Sequence, residues 1–426
     1  MTNTALWERR KNVLSPSYKH FYKEPLNIVK GDGVWVFDES GNRYLDCYNN
    51  VASVGHCNQN VLKALYSQAS TLNTHTRYIH ENVVKLGEVL TSKLPSQLDT
   101  CFFVCSGSEA NDLAYQIAKI TTGNHGLIVT ESAYHGNSNT IGYSTTDKNK
   151  LPNQNWIATI EPPNTYRGPF LEDEVNLGKK YASFLDESLK TLAANEIKPA
   201  ALLLDPSFDS NGVLIPPEDY CSILSAKIRA AGGLVISDEV QAGYGRFGEK
   251  WWGFERYNFT PDIVTMGKPM GDGHPVAAVV TTKEIAKKFA KLDYYFNTFG
   301  GNPVSTAVAL AVIKEIDTLN LLQNVHLVGL YLKKGLDVLY EKFSFIGNIQ
   351  GAGLFWGLDL VKDRITREPL TADQLQNITT LLKDEGVLMG FTGRYRNILK
   401  IRPPLIFTKE NADQAIRALD KVLQVI

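Results

Sequence analysis

The sequence predicts an α/β fold, with a large domain built on a mainly parallel sheet flanked by helices and a smaller α+β domain. Short apolar runs alternate with helical patterns through the middle of the chain, which is typical of a parallel sheet. These runs are too short for helices and mostly do not alternate in polarity, as expected of strands that are buried on both faces.

Five runs rich in Leu, Val and Ile are the predicted strands of the large domain. The first run leads into a predicted helix over 109–120, because Ala110, Leu113, Ala114 and Ile117 fall on one helical face. A second helix is predicted over 218–231. The five strand-like runs are CFFVC (101–105), GLIVT (126–130), AALLLD (200–205), GLVIS (233–237) and DIVTM (262–266).

The pattern changes from about residue 303, which predicts a separate C-terminal α+β domain. Helical periodicity dominates 303–343, and strand-like GLFWGLDLV (353–361), a helix near 371–385 and strand-like ILKIRPP (398–404) follow. Near the N-terminus, GVWVFDESGNRYLDC resembles a hairpin around Ser40-Gly41. We therefore expect three parts: a segment over 1–60 that packs with the small domain, a large domain over 61–310 and a small domain over 311–426.

Composition excludes several classes of partner. A formal net charge of −1 argues against nucleic acid or an anionic membrane as the main partner. No apolar stretch approaches the roughly 20 residues that cross a bilayer, and the polar N-terminus lacks the apolar segment of a signal peptide. The five cysteines are not in zinc-ligand spacing, so no metal is predicted. We expect a soluble, cytoplasmic protein.

Polar groups follow all five predicted strands. Ligands of open parallel sheets bind beyond the carboxyl ends of the strands, so these groups should face one crevice. In chain order they are Ser106-Gly107-Ser108, Tyr134-His135-Gly136, Asp205, Asp238-Glu239-Val240-Gln241 and Gly267-Lys268.

The combination of these groups predicts a site for pyridoxal 5′-phosphate (PLP). The Ser-Gly-Ser turn before a helix is either a packing turn or a phosphate cradle, since a helix N-terminus favours an anion. Lys268 is either solvated or an imine-forming amine. Asp238 ends an apolar strand and needs a partner: an arginine, a backbone N–H or the pyridine nitrogen of PLP. With aromatic Tyr134 beside them, they favour PLP held as a Schiff base on Lys268.

Residues 243–248 match the GxGxxG pattern of dinucleotide-binding folds. That pattern needs a tight strand-to-helix turn, but DEVQA intervenes after the strand and EKWWGF follows where a helix should begin. We therefore interpret this segment as a loop over the site.

Five motifs in order carry a family resemblance: SGSEAN, YHG, DEVQ followed by GxGRxG, DIVTMGK and NTFGGNPVS. From about residue 25 to its end, the chain resembles the class III (ω-type) aminotransferases of PLP fold type I. The resemblance implies that Lys268 forms the Schiff base and moves protons, that Asp238 pairs with the pyridine nitrogen and that Gln241 lies near the phenolic oxygen. It further implies that Tyr134 and Val240 cover the ring faces, that Gly107 and Ser108 bind the phosphate, and that Thr298 reaches the phosphate of a neighbouring subunit in an obligate homodimer with shared sites.

Within that family, YLDCYNNVASVGH, LNTHTRYIHEN, TYRGP, GKPMGDGHPVA and NILKIRPP resemble the alanine–glyoxylate aminotransferase 2-like group. That group includes phospho-lyases acting on O-phosphoethanolamine and 5-phosphohydroxylysine. Two reactions follow: transfer of an amino group from a small amine or amino acid to a 2-oxo acid, which we place first, or elimination of phosphate. A non-catalytic protein is disfavoured because Lys268 and Asp238 are both present.

Four residues are the candidates for substrate binding: Lys30, Asn50, Arg77 and Arg402. Positions like Lys30 and Arg77 carry a basic residue in the phospho-lyases and so favour elimination. Arg402 fits either reaction, because a guanidinium binds carboxylate and phosphate alike.

Two segments depart from the family patterns. Residues 137–150 lack the Pro-Tyr-Lys expected near 145–148. DPSFDSNG (205–212) differs from ESxxSxGG and from the EPVxGxGG of transaminases. Because both segments are expected to shape the substrate pocket, the reaction, the donor and the acceptor stay open at this point.

Overall fold

The computed structural model describes residues 3–147, 154–292 and 294–426. Its α-helices are α1 (Asn3–Val13), α2 (Gln59–Ala69), α3 (Glu81–Ser92), α4 (Gly107–Thr122), α5 (Asn139–Ser144), α6 (Leu177–Ala182), α7 (Phe184–Ala194), α8 (Tyr220–Ala230), α9 (Lys283–Leu292), α10 (Pro303–Thr318), α11 (Leu321–Lys342), α12 (Ala372–Asp384) and α13 (Lys409–Leu423).

The β-strands are β1 (Ile28–Asp32), β2 (Trp35–Asp38), β3 (Arg43–Asp46), β4 (Thr100–Val104), β5 (Gly126–Thr130), β6 (Ile157–Ile160), β7 (Pro199–Leu204), β8 (Leu234–Asp238), β9 (Ile263–Met266), β10 (Ala277–Thr281), β11 (Ile346–Ala352), β12 (Phe355–Leu360), β13 (Val387–Leu388), β14 (Gly390–Thr392) and β15 (Ile398–Ile401). Two 3-10 helices span Phe254–Tyr257 and Lys268–Gly271.

The largest sheet has seven strands in the order β4-β10-β9-β8-β7-β5-β6. The strands from β9 to β6 are parallel, whereas β10 pairs antiparallel with both β9 and β4. Because β4 and β9 are both antiparallel to β10, they run in the same direction. The five predicted strands and the mainly parallel sheet are thus confirmed, and all five carboxyl ends lie at one edge.

Helix α4 connects the sheet to that edge. Ser106 caps its N-terminus in a reciprocal capping box with Glu109, and Gly123 ends it in the left-handed conformation at φ 71°, as a C-terminal glycine commonly does. Its apolar face packs in one buried cluster with strand residues such as Val104 and Ile236. The helix predicted over 109–120 is confirmed and is one turn longer.

Two four-stranded sheets complete the described structure. One has the order β1-β2-β3-β13 and contains the predicted hairpin around Ser40-Gly41, and the other has the order β11-β12-β15-β14. Because β13 pairs with β3, residues near both ends of the chain share one sheet. In the described part of the chain, no helix has the length and apolarity needed to cross a membrane.

Candidate active site

The carboxyl ends of the five predicted strands meet around a cavity of about 180 Å³. The prediction that these strand ends face one crevice is confirmed. The residues that line the cavity are Gly107, Ser108, Asn111, Tyr134, His135, Gly136, Asp205, Asp238, Val240, Gln241 and Lys268.

Lys268 begins the 3-10 helix that directly follows β9. Burial lowers the pKa of its amine and the nearby charge of Arg402 lowers it further, against the opposing effect of carboxylates that include Asp209 and Asp238. A lysine amine with a lowered pKa is neutral more often at neutral pH, and only the neutral amine is a nucleophile. The position of Lys268 therefore suits covalent chemistry with a carbonyl compound.

Asp238, only 4% exposed, is fixed by three hydrogen-bond donors. Its Oδ2 accepts from Asn111 Nδ2 at 2.8 Å and lies 2.8 Å from His135 Nδ1, and its Oδ1 accepts from the N–H of Val240 at 3.1 Å. Thr265 in turn donates to Asn111 Oδ1 at 2.6 Å. Sequence reasoning did not assign His135 or Asn111 a role, although YHG and SGSEAN contain them.

Backbone N–H groups of the first turn of α4 form a cradle for an anion. Gly107 and Ser108 contribute the first N–H groups of the helix, which have no acceptor inside the helix itself. A Cβ on Gly107 would lie 2.9 Å from Val240 Cγ2, and one on Gly136 (φ 141°) would lie 2.7 Å from Ser108 Oγ. Close backbone approach and a helix N-terminus suit a phosphate group.

The divergent segment 137–150 supports this cradle as far as the structure describes it; residues 148–150 lie outside the described residues. Thr145 Oγ1 donates to the carbonyl of Gly136 at 2.7 Å and accepts from the N–H groups of His135 and Gly136 at 3.1 and 3.2 Å. Thr145 therefore holds the Tyr-His-Gly turn that borders the cavity.

A group of buried polar side chains lies close to Lys268. Asp209 accepts from Lys400 Nζ at 2.8 Å, from Arg402 Nη1 at 3.3 Å and from Gln241 Nε2 at 2.8 Å. Asn50 joins this group by donating to Gln241 Oε1 at 3.2 Å. Three of these residues are among the predicted site residues; Asp209 and Lys400 are not.

Asp205 faces the cavity from the end of β7. Its carboxylate accepts from the N–H and hydroxyl of Ser207 at 2.8 and 2.6 Å. Burial and the nearby Asp238 raise its pKa to about 6. Asp205 therefore braces the start of the second divergent segment.

Five predicted residues do not line this cavity. Asn50 and Arg402 belong to the polar group around Asp209, and Lys30, Arg77 and Thr298 lie elsewhere. The ammonium of Lys30 lies 4.9 Å from the centre of the Phe37 ring and borders a second cavity of about 430 Å³ together with Tyr48 and His56. Arg77 is exposed, lies over the Phe296 ring at 4.0 Å and donates to Tyr294 Oη at 3.1 Å. Thr298 is exposed in the same region.

Residues 243–248 lie in turns, as predicted. Arg246 is buried there and donates to the carbonyl of Pro403 and to Asn50 Oδ1, both at 2.5 Å. This arginine ties the loop to the C-terminal part of the chain, so the glycines around it serve close packing.

An enclosed lysine, a fixed carboxylate and an anion cradle surround a cavity at the strand ends, and orphaned His135 Nε2 has no hydrogen-bond partner among the described residues. These residues fit PLP, which needs an amine for its aldehyde, a carboxylate for its ring nitrogen and a phosphate cradle. Fold and site together define a PLP-dependent enzyme of fold type I.

Comparison with known proteins identifies the family. The family model "Aminotransferase class-III" matches residues 17–423, and the chain belongs to that family. The resemblance seen in the sequence is thus confirmed.

Three similar proteins illustrate the range of this family. The chain is 41% identical to alanine–glyoxylate aminotransferase 2 homolog 2, mitochondrial, of Arabidopsis thaliana, over 98% of this chain and 86% of that protein. It is 39% identical to ethanolamine-phosphate phospho-lyase homolog 1 of Caenorhabditis elegans, over 98% and 93%. A solved phospholyase from Arthrobacter in complex with phosphoethanolamine superposes with a TM-score of 0.95 and 39% identity, over 99% and 100% of the two chains.

Proposed function

We propose that this enzyme holds PLP covalently on Lys268 and transfers the amino group of a small amine or amino acid to a 2-oxo acid. The observation that carries the proposal is the position of Lys268 in the same cavity as Asp238 and the cradle at Gly107. When bound, PLP acts as an electron sink for negative charge on the substrate carbon. Family membership supports amino transfer as the reaction.

The surrounding residues have complementary roles in this proposal. Asp238 would keep a proton on the pyridine nitrogen, and Gln241 would lie near the phenolic oxygen. His135 and Asn111 position Asp238 through the hydrogen bonds described above. The remaining cofactor contacts would come from Gly107 and Ser108 at the phosphate, from Tyr134 and Val240 at the ring faces, and from Thr298 of a second subunit.

Lys268 also moves the proton. With the cofactor bound, the Nζ of Lys268 would act as a base towards the substrate carbon, and its lowered pKa favours the neutral form that accepts a proton. In amino transfer the same Nζ would give that proton back. The amine therefore serves as base and then as acid.

Borohydride reduction tests this assignment. Treatment of the purified enzyme should remove its visible absorbance and fix the cofactor on the peptide that contains Lys268. A Lys268→Ala variant should lose both covalent attachment and turnover. Label on another lysine, or turnover by this variant, would contradict the proposal.

Elimination of phosphate is the second candidate function. The observation in its favour is the 39% identity over 99% of the chain to a phospholyase that was solved with phosphoethanolamine. In this reaction Lys268 would take the same proton, and the phosphate would leave from the neighbouring carbon. Incubation with O-phosphoethanolamine alone, and separately with an amino donor and glyoxylate or pyruvate, separates the reactions by released phosphate or a new amino acid.

Lys30 and Arg77 are the proposed contacts for a substrate phosphate. Both are cationic, and Lys30 borders the cavity that also contains Tyr48, whose ring lies against Arg402. If they bind phosphate, Lys30→Gln and Arg77→Gln should each raise KM for O-phosphoethanolamine strongly. An unchanged KM would exclude that role.

We infer further that the enzyme is a homodimer with shared sites. A group of exposed large apolar side chains lies near Arg77 and Thr298, which supports a partner surface. Its members are Tyr78, Ile79, Tyr294 and Phe299. Light scattering of the purified protein tests the dimer.

The domain organisation and the cellular location of the protein are also proposals. We propose a large domain over 61–310 and a small domain over 311–426, with 1–60 packed on the latter, and the pairing of β3 with β13 supports that packing. Because both boundaries lie inside helices, α2 and α10, limited proteolysis should cut at the exposed residues that flank these helices. The five free cysteines support a reducing compartment such as the cytoplasm, which localisation of a tagged chain would test.

A further inference from the structure

The second divergent segment places a carboxylate where both family patterns have none. In DPSFDSNG (205–212) the fifth residue is Asp209, whereas ESxxSxGG has serine there and EPVxGxGG has glycine. Neither serine nor glycine can form an ion pair.

Asp209 binds two cations at once. Its Oδ1 accepts from Lys400 and its Oδ2 from Arg402 and Gln241, and its side chain is 7% exposed. Burial raises the pKa of Asp209, but the charges of Lys400 and Arg402 outweigh this and bring it down to about 2. At neutral pH Asp209 is therefore an anion fixed on both cations.

Four of the five N–H donors of Arg402 have acceptors within the protein. Its Nε and Nη2 donate to the carbonyl of Tyr48 at 3.3 and 3.1 Å, and its Nη1 donates to Gln241 Oε1 at 2.5 Å and to Asp209 at 3.3 Å. A substrate carboxylate that bound two N–H donors of this guanidinium would have to replace Asp209. It would also meet the charge of Asp209, and two buried carboxylates at one site repel each other strongly.

We propose that Asp209 is a specificity-determining residue that competes with a substrate carboxylate for Arg402, so that the site disfavours substrates with a carboxylate on the reacting carbon. Amines without that group meet no such competition. Within the proposed function, Asp209 therefore favours amines without that carboxylate as amino donors, and a 2-oxo acid acceptor has to displace Asp209 from Arg402. This inference rests on the proposed function, since it concerns substrates that react at Lys268.

Ethylamine and L-alanine are a matched pair of probes, because they differ only by the carboxylate on the reacting carbon. The rate at which each changes the absorbance of the PLP-loaded enzyme is measured without an acceptor, in the wild type and in Asp209→Asn. The asparagine keeps the size of the side chain and removes its charge. We expect the ratio of the second-order rate constant for L-alanine to that for ethylamine to rise at least tenfold, through a lower apparent dissociation constant for L-alanine.

Binding of propionate supplies a readout that needs no turnover. Calorimetry should show propionate binding at least tenfold more tightly to Asp209→Asn than to the wild type, a change of about 1.4 kcal/mol. Asp359→Asn is the matched control, because Asp359 is also buried and ion-paired, with Arg167, but lies outside this group. Its L-alanine to ethylamine ratio should stay at the wild-type value.

The possible outcomes separate the two proposals. An unchanged ratio and an unchanged propionate affinity in Asp209→Asn would overturn the role of Asp209. No absorbance change with either amine in the wild type would contradict the proposed function, while propionate binding would still test Asp209. If Asp209→Asn does not fold, the double variant with Lys400→Met removes the unpaired cation and is measured in the same way.

Discussion

Both carboxylate oxygens of Asp238 accept hydrogen bonds, and two of the three donors are side chains. Asn111 and His135 both meet Oδ2 at 2.8 Å, and Asn111 is itself held by Thr265. Donors fixed in this way hold both oxygens of Asp238 in place. In the proposed function this carboxylate would pair with the pyridine nitrogen, and His135 would position it.

His135→Phe should weaken PLP binding and lower kcat by roughly 10- to 100-fold, because a hydrogen bond to a charged group contributes about 1.5–3 kcal/mol. The dissociation constant is measured by titrating PLP and following its visible absorbance. His125→Phe is the control, because His125 contacts Trp156 away from the cavity. Wild-type affinity in His135→Phe would show that Asn111 and Val240 suffice to hold Asp238.

At this scale, sequence patterns predicted Lys268 and Asp238 at the strand ends and missed Asp209 and Lys400, which meet only in the folded chain. Lys268 and Asp238 were predictable because each ends an apolar run. Lys400 lies within β15, and only the pairing of Asp209 with Lys400 across the fold makes this buried lysine part of the site. A single sequence does not reveal that contact.

Among the elements, α4 matters most for the phosphate cradle, because the cradle is formed by its capped N-terminus. Ser106→Ala removes the cap and should lower the free energy of unfolding by about 1 kcal/mol. It should also weaken PLP binding, because Gly107 and Ser108 follow the cap directly. Urea denaturation and PLP titration measure the two effects.

Thr371→Ala is a matched control for this prediction. Thr371 forms the same kind of capping box with Gln374 at the start of α12, far along the chain from the cradle. It should cost similar stability and leave PLP affinity unchanged. Equal PLP affinity in both variants would mean that the cradle does not depend on the Ser106 cap.

A second element prediction concerns the segment over 50–56, which holds the 3-10 helix of Lys268. Ser53 donates to the carbonyl of Pro269 at 2.8 Å, and the N–H of Val54 donates to Asp272 at 3.0 Å. Burial raises the pKa of Asp272 to about 7. Ionisation of this carboxyl therefore opposes the folded state near neutral pH.

The direction of the pH dependence follows from the difference between the pKa of Asp272 in the folded and in the unfolded chain. Between the unfolded pKa near 4 and about 7, the folded state holds a proton that the unfolded state has lost, so the contribution of Asp272 to stability falls as pH rises. Asp272→Asn should remove that fall. Relative to the wild type, its free energy of unfolding in urea should be higher at pH 8 than at pH 5, and a constant difference would contradict this.

The missed elements have a physical explanation. The sequence predicted β4, β5, β7, β8 and β9 but not β6 or β10. β6 has four residues with the burial of its side chains alternating, too short to stand out from a loop. β10 begins with two alanines, and its antiparallel direction is set by pairing with β4 and β9, which no local pattern encodes.

For the whole molecule, the exposed apolar surface that supports a dimer is the region in which two predicted residues, Arg77 and Thr298, lie apart from the cavity. Arg77 and Thr298 are exposed, and the nearby Ile79 is 98% exposed. Neither Arg77 nor Thr298 lines the cavity of its own subunit. Both would instead act across an interface, as the resemblance to class III aminotransferases implied for Thr298.

Mixed dimers decide whether the sites are shared. Lys268→Ala should inactivate its own site, and Thr298→Asp should place a negative charge beside the phosphate of the other subunit's site, so each variant alone should have little activity. In a mixed dimer with shared sites, one site carries both changes and the other carries neither. Differently tagged subunits, co-expressed and purified through both tags, should therefore regain about half of the wild-type kcat per dimer. If every site is built from a single subunit, each site of the mixed dimer keeps one change, and activity should stay as low as in the parent variants.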